Sequence, residues 1–257
     1  MMAQGDQGFG AQRSEGENRG VIQLARPNRQ SYRTKAELVY RTLRMAIMRC
    51  ELEPGERLII DEISDLLGVS QIPVREALNS LQAEGLVTVV PHTGATVALV
   101  SADDVFEIFT IMEGLEIVAM RVAAQQASNA DLEQLASTLE PMDDAVHSNA
   151  LESWAELNIE FHRQIAAITG MPMLKEMTNR VLDRWDRARR HVRVLPGRIA
   201  EAQQQHRDIV QALMRHDVAT AQALATLHNR AALSAYQVQF DEEIRRLAAA
   251  ASQIADR

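Results

Sequence analysis

The sequence predicts a mainly α-helical chain in which a winged helix-turn-helix precedes an all-α antiparallel bundle of about six helices. Apolar residues recur at helical spacing over most of the 257 residues, aromatic residues make up only 4%, and one hairpin pattern falls near residue 90. Residues 1–100 hold 11 Lys/Arg and 12 Asp/Glu, whereas the remainder holds 16 and 23. We therefore expect two domains, at 31–100 and 101–250, after a disordered tail at 1–30.

The first half of the N-terminal domain contains two predicted helices. Apolar spacing predicts the first over Lys35–Cys50, and Pro54-Gly55 then marks a turn. The following "LII" is short enough to pair as a strand. A second helix is predicted at 61–67, with Asp61 as its N-cap.

A third helix begins in the stretch "SQIPVREALNSLQAEGL". Ser70 is a favourable N-cap, Pro73 is tolerated in the first turn, and Gly85 ends the helix. The segments "VTVV" and "ATVALV" flank the loop "PHTG" and predict a two-stranded hairpin. Helix, helix, turn, helix and hairpin is the element order of a winged helix-turn-helix.

In that arrangement the third helix enters the major groove of DNA with its first residues at the base edges. Arg75 suits a guanine edge, Gln71 suits adenine, and Ile72 suits a thymine methyl group. The candidate DNA-contacting residues of this helix are Ser70, Gln71, Ile72, Arg75 and Asn79. Because the region is not basic, a packing or dimerisation module remains the alternative.

Residues 52–97 resemble the DNA-binding domain of the GntR family of bacterial transcription regulators. The matching motifs are L-x-P-G-x-x-L, "LGVS", "PVREAL", L-x-x-EGLV and the glycine of the wing loop. The resemblance implies that Ser70 and Arg75 face DNA and that the wing tip, Thr93 and Gly94, meets the minor groove.

Two positions differ from the common family pattern. Gln71 lies where Arg is usual, and Ile72 lies where Thr is usual. One cation is therefore missing from the recognition helix. Because each phosphate contact adds about one unit to the salt slope, we expect a shallower salt dependence of DNA binding.

The second domain reads as successive helices separated by Gly, Pro, Ser and Asn breaks. Polar side chains interrupt its apolar stripes, where burial without partners is costly. Asn158 and His162 lie at i, i+4 on one helix, His206 lies on another, and His228 lies on the last. Three convergent imidazoles can hold a divalent metal, whereas separate hydrogen bonding of each histidine is the alternative. The six predicted helices span 103–127, 130–148, 151–168, 171–194, 198–215 and 218–248.

The spacing N-x-x-x-H, H-R-x-I and a later His228 resembles the FCD effector-binding domain of the FadR subfamily. The resemblance implies a metal held by Asn158, His162, His206 and His228, without distinguishing zinc, nickel or manganese. It also implies a small carboxylate effector beside that metal. Since Asn is neutral where Asp is common, the site would be more positive and would favour an anion.

Met112 and Trp185 are two further candidates for the effector pocket, and a methionine packed in the core is the alternative interpretation of Met112. Related domains often place an effector-binding Arg where Met112 stands, so either the metal alone meets the effector or another cation replaces that Arg. The arginine-rich run at 180–193 supplies candidates. Trp185, on the apolar stripe of the same run, is expected to line the pocket or to pack.

The leading functional hypothesis is a ligand-responsive transcriptional repressor. It would bind pseudo-palindromic operator DNA as a homodimer and release it on effector binding. A direct metal sensor and a His-site metal enzyme are the alternatives. Cys50 is the only cysteine and no apolar run approaches membrane-spanning length, so we expect a cytoplasmic protein without disulfides or membrane spans.

Overall fold

The computed structural model describes residues 34–90, 94–192 and 198–255, and it confirms the mainly helical fold class. The predicted tail at 1–30 and the wing residue Thr93 lie outside this range. The first domain comprises α1 (Lys35–Met48), β1 (Arg57–Leu58), α2 (Ile60–Leu67), α3 (Gln71–Ala83), β2 (Val87–Val90) and β3 (Gly94–Val97).

The three strands form one antiparallel sheet in the order β1-β3-β2. The register pairs Leu58 with Ala95 and Val87 with Val97, so the "LII" segment joins the wing through its first residue. Strand residues Leu58, Val87 and Val97 are buried against α1, α2 and α3. The sheet therefore completes the small core that supports α3.

Helix α2 starts one residue earlier than predicted. Its N-cap is Ile59, which provides no side-chain hydrogen bond, and Asp61 lies within the first turn. The Asp61 carboxylate instead accepts a hydrogen bond from the Gln71 amide at 2.5 Å. The carboxylate that was predicted to cap α2 therefore accepts a hydrogen bond from a side chain of α3 instead.

The second domain contains seven helices among the described residues. Where one helix was predicted at 130–148, the structure has two. The chain breaks at Ser137 and Thr138, whose hydroxyls donate to the carbonyls of Gln134 and Leu135. Pro141 lacks the N–H that a continuous helix would need at that position, and its ring would crowd the preceding turn. The helices are α4 (Ala102–Gln126), α5 (Asn129–Ala136), α6 (Leu139–His147), α7 (Leu151–Ile168), α8 (Pro172–Val192), α9 (Ile199–Met214) and α10 (Val218–Ala255).

Helix starts in this domain carry strong local signals. Ser101 and Ser128 each form a capping box, in which the serine hydroxyl accepts from the N3 backbone amide and the N3 aspartate accepts from the serine backbone. α4 and α10 lie side by side, and α7, α8 and α9 pack around them. Along the described segments, no helix combines the length and hydropathy needed to cross a membrane.

Helix α8 also touches the winged domain. Arg44 of α1 lies 3.5 Å from the Asp183 carboxylate, and Arg184 donates to the carbonyl of Glu84 at 3.1 Å. Arg187 donates to the carbonyl of Ala98, in the segment that joins the two domains. One helix therefore belongs to the bundle and contacts the winged domain.

Candidate functional site

Helix α3 presents a polar face to solvent over a buried apolar face. Pro73, Val74, Ala77, Leu78 and Leu81 are buried in the core of the winged domain. The predicted contact residues on this helix, together with its N-cap Ser70, are all exposed. Ile72 is 68% exposed, which is unusual for an isoleucine that has no partner surface.

Hydrogen bonds hold part of this face in place. Arg75 donates to the Gln71 side-chain oxygen at 3.4 Å, while the Gln71 amide donates to Asp61. The amide orientation of Gln71 is thereby fixed, with its oxygen toward Arg75. Ser70 occupies the N-cap position but its side chain makes no capping hydrogen bond, which differs from the expected role and leaves the hydroxyl available to a phosphate.

The second predicted DNA-contacting surface is the tip of the wing. Gly94 opens β3 with φ of +107°, a conformation that side-chain-bearing residues rarely adopt. Its neighbour Thr93 lies outside the described residues. The structure thus places Gly94 at the start of the strand that follows the wing loop.

Three histidines converge inside the helical bundle. His162 of α7, His206 of α9 and His228 of α10 are all buried. Their candidate ligand atoms lie within 4.8 Å of one another, and the ring centroids of His206 and His228 are 4.6 Å apart. Asn158, one turn before His162, is buried in the same region. The structure therefore brings together all four residues that the sequence predicted as metal ligands.

Two of the imidazoles are oriented by acceptors at Nδ1, and the third has a carboxylate in ion-pair contact there. His228 Nδ1 lies 2.9 Å from the Gln205 side-chain oxygen, and His206 Nδ1 lies 3.3 Å from that of Gln203. His162 Nδ1 lies 2.5 Å from the Glu116 carboxylate. In His206 and His228, an Nδ1–H donated to an oxygen leaves the lone pair on Nε2, which is the form that binds a metal.

The orientation of Gln203 is itself determined by its neighbours. Its amide nitrogen donates to Asp143 at 2.6 Å and to the carbonyl of Leu139 at 3.3 Å. Its oxygen must then accept, and it receives the Trp154 indole N–H at 3.2 Å as well as His206 Nδ1. A buried amide thus fixes the tautomer of His206.

Burial keeps two of the histidines neutral. It lowers the pKa of His206 well below 6.5, and the nearby charges of His228 and His162 lower it further. Burial also lowers the pKa of His228 to about 4, an effect that His162 reinforces and Glu116 opposes. Neutral imidazole is the ligating form, so the pair is ready to bind a metal without losing protons.

Glu116 of α4 is the site residue that sequence reasoning missed. It is buried, touches His162, and accepts a 2.5 Å hydrogen bond from the Asn229 amide. Burial, the largest single effect, raises the pKa of its carboxyl, but His162, His228 and the Asn229 amide together outweigh burial and the net shift is downward. The signal was present: Glu116 follows Met112 by one turn on an otherwise apolar stripe. This carboxylate offsets the positive excess that a neutral Asn158 was expected to leave.

A cavity of about 60 Å³, partly open to solvent, adjoins the histidines. Met112 and Trp185, the two candidate pocket residues, both line it. Asn158, His162 and His228 form its polar end, and aromatic and aliphatic side chains form most of the rest. Its mostly apolar lining, with a few convergent polar groups, is typical of a small-molecule site.

The arginine that lines this cavity is Arg198, which precedes α9. Within the described part of 180–193, the arginines of α8 lie elsewhere: Arg189, for example, is buried against Glu152 and Asp186. Arg198 pairs with Glu201 and donates to the carbonyl of Ala231 at 2.8 Å. Among the described residues, the candidate arginines of the 180–193 run therefore do not line the cavity, and the cation there is Arg198.

Several buried polar atoms at the site have no hydrogen-bond partner among the described residues. They include His206 Nε2, the Asn158 side-chain oxygen, and the facing pair of His162 Nδ1 and a Glu116 oxygen, which are close but lack hydrogen-bond geometry. The Trp185 indole nitrogen and the Tyr236 hydroxyl also lack a hydrogen-bond partner among the described residues. A nitrogen lone pair and an amide oxygen are donors that suit zinc, nickel or manganese. The residues present therefore fit a divalent metal.

Comparison with known proteins places both domains. Residues 35–97 match the bacterial regulatory proteins of the gntR family, and residues 107–231 match the FCD domain. An HTH-type transcriptional regulator in an unstable DNA locus of Streptomyces ambofaciens is 30% identical over 202 residues, which cover 77% of this chain and 84% of that protein. The repressor RspR of Escherichia coli is 29% identical over 192 residues, covering 74% and 83% of the two chains.

A solved structure supports the fold. Escherichia coli McbR/YncC is 24% identical and aligns with a TM-score of 0.65 over 82% of this chain and 100% of its own. Together, the two matched domains and these relatives show that the chain belongs to the gntR family with an FCD domain: it is a DNA-binding transcriptional regulator, not an enzyme, whose winged domain binds operator DNA and whose FCD domain binds an effector.

Proposed function

We propose that this regulator is a homodimeric repressor whose FCD domain holds a divalent metal and releases DNA when a small carboxylate effector binds. The observation that carries the proposal is the cavity whose polar end is the buried histidine cluster. Two winged domains related by a two-fold axis would bind the two halves of a pseudo-palindromic operator.

Asn158, His162, His206 and His228 would hold the metal. The three imidazoles supply nitrogen donors with lone pairs on Nε2, and Asn158 supplies a neutral oxygen. When bound, the metal gives the cavity a Lewis-acidic attachment point for a carboxylate. Gln203 and Gln205 keep two of the imidazole rings in the ligating tautomer.

Arg198 supports an anionic effector. It would supply the cation that the chain lacks at Met112, since it lines the cavity and its charge lowers the pKa of His228. An effector carboxylate would lie between Arg198 and the metal. The surrounding apolar side chains, among them Trp185 and Leu182, favour an effector with an apolar body.

Helix α8 offers the route from effector to DNA. Leu182 and Trp185 line the cavity, while Asp183, Arg184 and Arg187 contact the winged domain. An effector that binds one position of α8 better than another shifts the equilibrium between two arrangements of the winged domains. The free energy of that shift equals the difference in the effector's binding free energy for the two positions.

At the DNA, Arg75 would contact a guanine edge, with Gln71, Ile72 and Asn79 at adjoining bases. Ser70 and the helix N-terminus would meet a phosphate. Thr93 and Gly94 would place the wing in the minor groove. The exposure of the described α3 residues and the ordering of Arg75 by Gln71 support this assignment.

The test begins with selecting an operator from random double-stranded DNA, followed by anisotropy titrations at fixed salt. Zinc-loaded protein should bind the selected operator, and a panel of small carboxylates should contain members that dissociate it. The direct metal sensor is distinguished by a chelator titration without effector. If chelation alone switches operator affinity and no carboxylate does, the metal is the effector and our proposal is wrong.

A further inference from the structure

We propose that Glu116 is the anionic positioning residue of the metal centre: it fixes His162 in the ligating tautomer and supplies the negative charge that Asn158 lacks. This inference rests on the proposed metal centre. It assigns to α4 a part in metal binding, in addition to lining the cavity. It also explains why a full negative charge is buried in the middle of the bundle.

The position of Glu116 is fixed from two sides. One carboxylate oxygen lies 2.5 Å from His162 Nδ1 on α7, and the other accepts from the Asn229 amide on α10. The same Asn229 amide donates to the carbonyl of Ala225 at 3.0 Å, which orients its nitrogen toward Glu116. The carboxylate is therefore held against the Nδ1 side of His162 by three different helices.

Glu116 lies behind the histidine cluster and does not join it. The three histidines alone have ligand atoms within 4.8 Å of one another. A carboxylate on Nδ1 leaves Nε2 as the ligating atom and makes the imidazole a stronger donor. Gln203 and Gln205 fix the other two rings with neutral oxygens, so His162 is distinguished by an anionic partner.

The charge balance of the metal site is a second reason to assign this part to Glu116. Asn158 and three neutral imidazoles would leave a divalent metal with its full +2 charge in a buried site, which is costly. Glu116 is 3% exposed and reduces that charge to +1 without occupying a coordination position. Coordination positions then stay open, and a monoanionic effector would neutralise the site. Where related domains use a carboxylate as a metal ligand, this chain would place a carboxylate against the Nδ1 side of the ligand His162.

The test measures zinc affinity of the full chain by competition with a chromophoric chelator. Glu116→Gln preserves shape and removes the charge, and we expect it to weaken zinc binding about 10- to 100-fold. The matched control is Glu113→Gln on the same helix, which disturbs only a surface pair with Arg230 and should leave zinc affinity unchanged.

A rescue variant separates charge from general structural damage. Asn158→Asp, added to Glu116→Gln, returns one negative charge to the site and should recover most of the lost affinity. A protein that was merely destabilised by Glu116→Gln would not regain zinc affinity in this way. Unchanged affinity in Glu116→Gln, or no recovery in the double variant, overturns the inference.

An independent measurement needs no variant at residue 116. In zinc-loaded protein labelled with ¹⁵N-histidine, His162 should carry its proton on Nδ1 and zinc on Nε2, and attachment through Nδ1 would overturn the inference. Absence of zinc binding by the wild-type chain would overturn the proposed metal centre as well. The two failures are thus distinguishable.

Discussion

Gln203 connects three elements of the helical domain, so replacing it should be unusually costly for a neutral side chain. Its amide accepts from Trp154 and His206 and donates to Asp143 and Leu139. Gln203→Met keeps roughly the same volume but offers no comparable hydrogen bonds. Two buried donors, the Trp154 indole N–H and the His206 Nδ1–H, then lose their partner.

The magnitude follows from the two orphaned groups. Each buried donor left without a partner costs about 1–3 kcal/mol, so we expect Gln203→Met to lower the free energy of unfolding by about 2–6 kcal/mol. Asp143 loses less because it keeps its 2.6 Å ion pair with Arg207. The neighbouring Gln204 is exposed, and Gln204→Met should change stability by less than about 0.5 kcal/mol.

The assay is urea unfolding with a chelator present, followed by tryptophan fluorescence. Both tryptophans of the chain, Trp154 and Trp185, lie in the helical domain, so the signal reports that domain. The two variants should differ in midpoint at an unchanged m-value. A loss below about 1 kcal/mol in Gln203→Met would refute the reasoning that this amide satisfies the histidine cluster.

The remaining predictions concern DNA, the cavity and the cysteine. Arg75→Ala should weaken binding of the selected operator about 5- to 150-fold in anisotropy, since a guanine contact is worth about 1–3 kcal/mol, while exposed Arg121→Ala in the helical domain should not. Gln71→Arg should steepen the slope of log affinity against log salt by about one unit, and an unchanged slope would contradict a phosphate contact there. Tyr236→Phe removes a buried hydroxyl that has no partner in the described residues. The unfolding free energy of the effector-free protein should therefore rise, by up to about 1–3 kcal/mol, and should not fall. Burial raises the pKa of Cys50 above 9.0, so less thiolate is present at a given pH, and its alkylation rate should reach half-maximum only above that pH.

Helix starts and stops were largely predictable because they depend on residues close in sequence. Ser101 and Ser128 form capping boxes with the aspartates three positions later. Gly68 adopts the left-handed conformation just past α2, where the sequence suggested an end. The missed break at Ser137–Thr138 had a local cause as well, in Pro141, whose position in the first turn of a new helix was overlooked.

The candidate site was predictable only in part. Asn158, His162, His206 and His228 were identified because polar residues on apolar stripes need partners, and burial of all four agrees with that reasoning. Glu116 was overlooked although its helix was known. Its place on an apolar stripe indicates burial, but nothing local shows that its partner is a histidine 46 positions later.

The sequence by itself determined the order of the elements, the division into a winged domain and a helical bundle, and the residue types available for DNA and metal. These depend on apolar periodicity, turn residues and short motifs, which act over a few positions. Only the tertiary structure decided that Glu116 stands behind His162, that Arg198 rather than an α8 arginine of the described run reaches the cavity, and that Asp61 bonds Gln71. Those pairings join distant segments, and packing selects them because each buried polar group must find a partner wherever the fold places it.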